Sequence, residues 1–155
     1  MTASLRLEKV TPDNVRAACD MRLRPGQERF VAPVAQSLAE AYVHPEIAWP
    51  RLVVDGDRIV GFVMLFLDVR LLPGDPEDRL RSGLWRLAVA AGEQGKGYGR
   101  FTVGAVCEEL RNRGKKRITV TWKPGEDGPE EFYLKLGFRR TGEMSDDEVV
   151  GEMDL

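Results

Sequence analysis

The sequence predicts an α/β domain built on one mixed sheet. Three observations point there. Runs of alternating apolar residues are interleaved with stretches of helical spacing. Two β-rich runs flank Asp55-Gly56-Asp57, a tight-turn signature that makes them antiparallel partners. A strand-like run then enters a turn with glycines at 95, 97 and 99 and continues as an amphipathic helix.

Taken in order, SLRLEKV alternates Leu5, Leu7 and then Val10 as a first strand. Thr11-Pro12-Asp13 reads as the start of a helix, with a cap residue, a proline suited to the first turn and an acid near the positive helix end. Its apolar face is Val15, Ala18, Cys19 and Met21, and Pro25-Gly26 ends it. A second helix runs from about Pro33 to Val43 on Val34, Leu38, Ala41 and Tyr42, and His44-Pro45 stops it. Arg51 to Val54 and Arg58 to Asp68 form the hairpin. LLPGDPEDRLRSG reads as a polar loop and Leu84 to Val89 as the next strand. After the glycine turn a helix over Lys96 to Arg113 uses Phe101, Val103, Ala105, Val106 and Leu110, and ends at Gly114 in a left-handed cap. KRITVTW is a central strand, Glu130 to Leu136 a short helix ended by Gly137, and two strands around Ser145-Asp146-Asp147 finish the chain. The expected order is β-α-α-β-β-β-α-β-α-β-β in a single domain spanning residues 1–155.

Composition excludes several function classes. The 155 residues are 43% hydrophobic and 31% charged, and no apolar run approaches the roughly 20 residues of a membrane span. A formal charge of −2 offers no field for nucleic acid and is compatible with a cationic small substrate. MTASLRLEKV lacks a basic region followed by an apolar core, so no secretory signal and a cytoplasmic location are expected. Cys19 and Cys107 lie in helical segments among apolar neighbours, without metal-like spacing to each other or to His44. They read as core thiols, with neither disulfide nor metal site expected.

The glycine turn is not a nucleotide triphosphate loop: Ala90 stands where that motif needs its first glycine and Gly97 where it needs a hydroxyl. Nor is it a dinucleotide fingerprint, whose third glycine would fall on Arg100. What remains is a turn without bulky side chains that opens a helix. Unbonded amides and the positive end of the helix dipole would hold an anion such as a pyrophosphate there; tight packing of helix on sheet is the alternative.

Gln94-Gly95-Lys96-Gly97-Tyr98-Gly99 resembles the Q/R-x-x-G-x-G/A motif of the GNAT family of N-acetyltransferases, and FYLKLGF, Phe132 to Phe138, is similar to that family's late F-Y-x-K-x-G-F segment. The resemblance implies an acyl-CoA N-acyltransferase fold with splayed central strands and acetyl-CoA as cosubstrate. It implies that Gln94 and the amides of Gly95, Lys96, Gly97, Tyr98, Gly99 and Arg100 hold the pyrophosphate, and that Leu87, Ala88 and Val89 pair with the pantetheine arm. Tyr133 matches the family's proton donor to the departing thiolate. Where the family often has an asparagine, PGEDGPEEFY offers Glu126, with a solvated loop acid as the alternative.

Within the family the chain is similar to bacterial diamine and spermidine acetyltransferases through Gln27 to Pro45, GFVMLFLD and LWRLAV. In that segment Glu28, Ser37, Glu40 and Tyr42 are candidate pocket residues; the acids would bind ammonium groups, while Tyr42 or Trp85 would cover methylenes or face a cation. Of the acidic C-terminal residues, Glu143 and Glu152 lie within strands and are the expected pocket members, while Asp146, Asp147 and Glu148 read as a solvated hairpin.

The chemistry requires an oxyanion donor, for which the Val89 N–H is the candidate, and a base. Some relatives carry an acid on this strand; Trp85-Arg86 cannot accept a proton at neutral pH, so the base is unassigned. The reading is acetyl transfer to a primary amine, a di- or polyamine, by a protein expected to form a homodimer. The alternatives are an aminoglycoside or protein N-terminal acceptor, or a non-catalytic acetyl-CoA-binding module.

Overall fold

A computed structural model describes residues 4–28 and 30–155. Seven strands form one sheet: β1 (Leu5–Glu8), β2 (Ala48–Asp55), β3 (Arg58–Arg70), β4 (Leu80–Val89), β5 (Arg117–Trp122), β6 (Arg139–Ser145) and β7 (Glu148–Asp154). The helices are α1 (Val15–Cys19), α2 (Val34–Val43), α3 (Tyr98–Asn112) and α4 (Glu130–Leu136). The spatial order is β1-β2-β3-β4-β5-β7-β6, and β4 with β5 is the parallel pair. The element order is the expected one.

Strands β2 and β3 read as nearly continuous apolar runs because both faces of the sheet are covered. Val53, Val63 and Leu65 pack with Val103, Val106 and Leu110 of α3 on one face. Leu52, Val54, Phe62 and Met64 meet Ala18 and Val34 on the other. Burying a side chain the size of the fully covered Leu110 contributes roughly 1.5–3 kcal/mol, so α3 is fixed to the sheet by packing.

Two features part the sheet at its centre. First, β4 and β5 pair only through Gly83↔Thr119 and Leu84↔Val120. A Cβ on Gly83 would lie 1.7 Å from the Thr119 carbonyl oxygen, so only glycine permits that approach. Second, Leu84 opposes Leu65 and Arg86 opposes Met64, which leaves Trp85 as the extra residue of a bulge. A bulge bends its strand. Beyond it β4 keeps β3 as its partner and leaves β5, and the edge from Trp85 to Val89 is open.

Four expectations are corrected. The first helix is five residues long and starts after Asn14, whose Oδ1 accepts from the Thr11 amide at 2.7 Å; Pro12 and Asp13 belong to that turn. Val15 and Cys19 are consequently exposed, and Cys107 is the buried thiol. Tyr42 points to solvent, 80% exposed, instead of joining the apolar face of α2. The end of the expected polar loop, Leu80 to Gly83, is strand, paired through Arg81↔Val69 and Leu80↔Arg70.

Candidate active site

The glycine turn closes β4 and opens α3. Ala90 donates to the Val60 carbonyl at 2.9 Å and Ala91 to that of Arg22 at 2.7 Å, which pins the strand end. Gln94 then braces the turn from within: its Nε2 donates to the Val89 carbonyl at 3.1 Å and its Oε1 accepts from the Gly92 amide at 3.1 Å. Gly95 and Gly97 take φ of 79° and 83°, left-handed values at which a side chain is strained. The first helical bond runs from the Phe101 amide to the Gly97 carbonyl at 3.0 Å. Among the described residues, the amides from 94 to 100 have no backbone acceptor.

That run of donors at the positive end of a 15-residue helix is an anion site. It opens on a cavity of about 550 Å³ lined by Leu87, Ala88, Val89, Gln94, Gly95, Gly97, Tyr98, Gly99, Arg100 and Tyr133. A Cβ on Gly95 or Gly97 would meet no protein atom within 4 Å, so bare backbone faces open space. Gly99 serves packing instead, since a Cβ there would stand 3.0 Å from the Phe132 ring.

Two side chains of the motif are occupied elsewhere. Tyr98 is buried and its hydroxyl donates to Asp55 Oδ2 at 2.6 Å, tying α3 to β2. Lys96 pairs with Glu93 at 2.8 Å, Glu93 also holds Arg58, and Lys96 does not line the cavity. The hydrogen bond from Lys96, followed by that from Arg58, holds the Glu93 carboxyl below its usual range. Glu126 is exposed and does not line the cavity; its neighbour Asp127, at φ 64°, does.

Strand β4 supplies the next wall. Because Ala90 donates to Val60, the alternation of an antiparallel ladder turns the peptide groups of Val89 and Leu87 away from β3 and toward the open edge. Gln94 takes the Val89 carbonyl there.

Tyr133 lies on α4 across the opening, 6% exposed. Its ring stacks on Trp122 with centroids 5.6 Å apart and meets Phe132 and Phe138 edge-on at 5.2 and 5.5 Å. Burial, and then the nearby charge of Glu148, push its phenol well above the ordinary value. It is held protonated at neutral pH, the state of a donor.

A second cavity, about 610 Å³, adjoins the first and shares Phe30, Val31, Leu87, Pro129 and Tyr133 with it. Glu28, Trp85, Arg86, Asp146, Asp147 and Glu148 line it. Of the residues expected around an acceptor, Glu28 and Trp85 are therefore present. Glu40 is engaged by Arg86 at 2.8 Å, and it does not line either cavity. Ser37 is fully buried on the inner face of α2 and Tyr42 is in solvent. Glu143 is held by two 2.8 Å hydrogen bonds from Arg81, and Glu152 by Arg79, Arg117 and Arg139 at 3.1 to 3.5 Å. Strand position suggested these two acids, but Arg81 of β4 holds Glu143, Arg79 before β4 together with Arg117 of β5 and Arg139 of β6 holds Glu152, and neither acid lines either cavity. Asp146 and Asp147 of the β6–β7 turn and Glu148 at the start of β7 line the second cavity in their place. Arg86, Asp127, Phe30 and Val31 carried no local signal that would have marked them.

A sheet opened by a bulge, a phosphate-sized nest of amides on one side of the gap and a buried tyrosine across it define an acyl-CoA-type transferase fold. The profile of the acetyltransferase (GNAT) family matches residues 13–138, and the chain belongs to that family. It is 27% identical over 82 residues, 53% of the chain, to an L-2,4-diaminobutyric acid acetyltransferase of Shouchella clausii (strain KSM-K16), and 28% identical over 88 residues, 57% of the chain, to N-acetyltransferase 8F1 of Rattus norvegicus. It spans 42% and 38% of those two proteins. The crystal structure of the aminoglycoside acetyltransferase AAC(6')-Ib in complex with coenzyme A superposes with a TM-score of 0.74 at 22% identity, covering 97% of this chain and 95% of that one.

Proposed function

We propose that this chain is an acetyl-CoA-dependent N-acetyltransferase that passes the acetyl group directly to a primary amine, a small di- or polyamine. One observation carries the reading: two cavities, one beside a nest of unbonded amides and one lined by carboxylates, share a wall at Leu87 and Tyr133. Acetyl-CoA supplies an activated thioester. The amides from 94 to 100 suit its pyrophosphate, and the outward peptide groups of Leu87 and Val89 suit its amide-bearing arm. The Val89 N–H would polarise the thioester carbonyl, and Tyr133 would protonate the sulfur as it leaves.

Direct transfer is supported by the cysteines, since Cys107 is buried in the core, Cys19 is on the surface, and neither lines either of these two cavities. The acceptor class is supported by Glu28, Asp146, Asp147 and Glu148 around the second cavity and by the likeness to a diaminobutyric acid acetyltransferase. The open outer edges of β1 and β6 support a homodimer.

Thiol release from acetyl-CoA, measured with di- and polyamines, aminoglycosides and a peptide bearing a free N-terminus, tests the reading. Release with the small amines is expected. Preference for the sugar or peptide would move the acceptor to that class, and binding of acetyl-CoA without release to any amine would make the chain a binding module.

A further inference from the structure

At pH 7 an alkyl amine of pKa about 10.4 is neutral in about one molecule in a few thousand. A group at the acceptor cavity must therefore take a proton before attack. Strand β4 presents Trp85 and Arg86, and neither is a base. Glu40, Glu143 and Glu152 are held by arginines, and none of them lines the cavity.

Glu148 is placed differently. It is the first residue of β7, paired across the turn with Ser145, and the next residue, Val149, opposes Trp122. Trp122 is the ring on which Tyr133 stacks. The carboxylate is partly buried and lines the acceptor cavity, and its Oε1 accepts from Thr121 Oγ1 at 2.6 Å. That bond comes from the open end of β5, opposite the bulged part of β4, and leaves the second oxygen for another partner. Electrostatic communication between the two residues agrees with this placement, since the charge of Glu148 is felt at the Tyr133 phenol.

We infer that Glu148 is the general base, oriented by Thr121, that takes the proton of the acceptor ammonium; this rests on the acetyltransferase reading above. The ammonium nitrogen gives one proton to the free carboxylate oxygen of Glu148, and its lone pair forms the new N–C bond to the acetyl carbon. The C–S bond breaks and the sulfur takes the Tyr133 proton. The nitrogen loses a second proton as the amide forms, which restores Tyr133, and Glu148 returns its own to water. One proton is released per turnover. The charged and titratable groups that line this cavity with Glu148 are Tyr133 from α4, Arg86 from β4, Lys123 after β5, Asp146 and Asp147 from the turn, and Glu28 before α2.

The test is kcat/KM against pH for wild type and Glu148→Gln, with acetyl-CoA affinity measured by calorimetry for each. At pH 7 the variant is expected to lose about 10²- to 10⁴-fold, with affinity for acetyl-CoA retained. The deficit should shrink by up to about tenfold per pH unit as the amine deprotonates unaided. Glu148→Asp keeps the carboxylate and should keep the wild-type profile at lower kcat; Thr121→Val should lower kcat without moving the profile. A deficit constant across pH, or no deficit, overturns the assignment. Should Glu148→Gln lose acetyl-CoA binding through misfolding, a Glu148→Asp profile that follows the free amine would overturn it equally. Wild-type protein that binds acetyl-CoA but acetylates no amine overturns the acetyltransferase reading itself, and this base with it.

Discussion

The Tyr133 ring lies on Trp122 with centroids 5.6 Å apart and planes inclined by 22°. Trp122 ends β5 and Tyr133 sits in α4, so the stack sets the phenol across the gap from Leu87. Tyr133→Phe keeps the stack and removes one hydroxyl. Turnover at pH 7 is expected to fall by roughly 10- to 10⁴-fold with acetyl-CoA affinity near normal. Burial and the nearby charge of Glu148 keep the wild-type phenol protonated well above neutral pH, so the deficit should persist at pH 9.5. Steady-state thiol release at pH 7 and pH 9.5, beside calorimetry, checks both; an unchanged rate at pH 7 removes the donor role.

Gly97 faces open space at φ 83°. Gly97→Val sets a β-branched side chain among the unbonded amides and costs about 1–2 kcal/mol of backbone strain. Coenzyme affinity is expected to drop by about tenfold or more because the side chain blocks the approach to the amides, and the strain should lower the melting temperature by several degrees. Isothermal titration and thermal melting separate the two.

At Gly83 the same comparison is a folding experiment. A methyl group 1.7 Å from the Thr119 carbonyl oxygen forces β4 and β5 apart at their parallel contact. Gly83→Ala is expected to destabilise by about 3 kcal/mol or more, within the range of severe core disruptions. Urea denaturation measures it.

Arg81 is almost completely buried with Asp78 and reaches Glu143 with two hydrogen bonds, joining β4 to β6. Arg81→Met leaves two acids without their cation, and about 3 kcal/mol is expected, the lower part of the range for a broken buried pair because Glu143 stays 30% exposed. Equilibrium unfolding in urea at pH 7 reads this loss.

The same pair predicts a pH dependence. The hydrogen bonds from Arg81, against some desolvation, hold the Glu143 carboxyl down to about 2 from an ordinary 4.5. A carboxyl with a lowered folded value stabilises the fold above its unfolded value and loses that contribution as pH falls. The wild type should therefore lose stability relative to Glu143→Gln between about pH 4.5 and pH 2, and the difference should be flat above pH 5. Chemical denaturation of both proteins across that range tests the sign.

Periodicity and turn chemistry are local properties, and they made the element order legible before any contact was known. The alternation of Ile118, Val120 and Trp122, the turn at Gly56 and the left-handed cap at Gly114 each needed only their neighbours in the chain. The glycine motif was legible for the same reason: amides left unbonded at a helix start are fixed by the residues of that start. Leu80 to Gly83 reads as loop from the sequence because Arg81, Ser82 and Gly83 mask a strand whose Arg81 finds its counter-ion on β6.

The sequence by itself determined the alternation of strand and helix and the phosphate-sized turn between Val89 and Tyr98, because hydrogen bonding along the backbone depends on residues a few positions apart. Only the tertiary structure decided which carboxylates stay available. Glu143 and Glu152 lie against arginines, and Glu148 stands beside Thr121 and Tyr133. Whether a charge is neutralised or left to face a substrate depends on cross-strand distances that no spacing along the chain encodes.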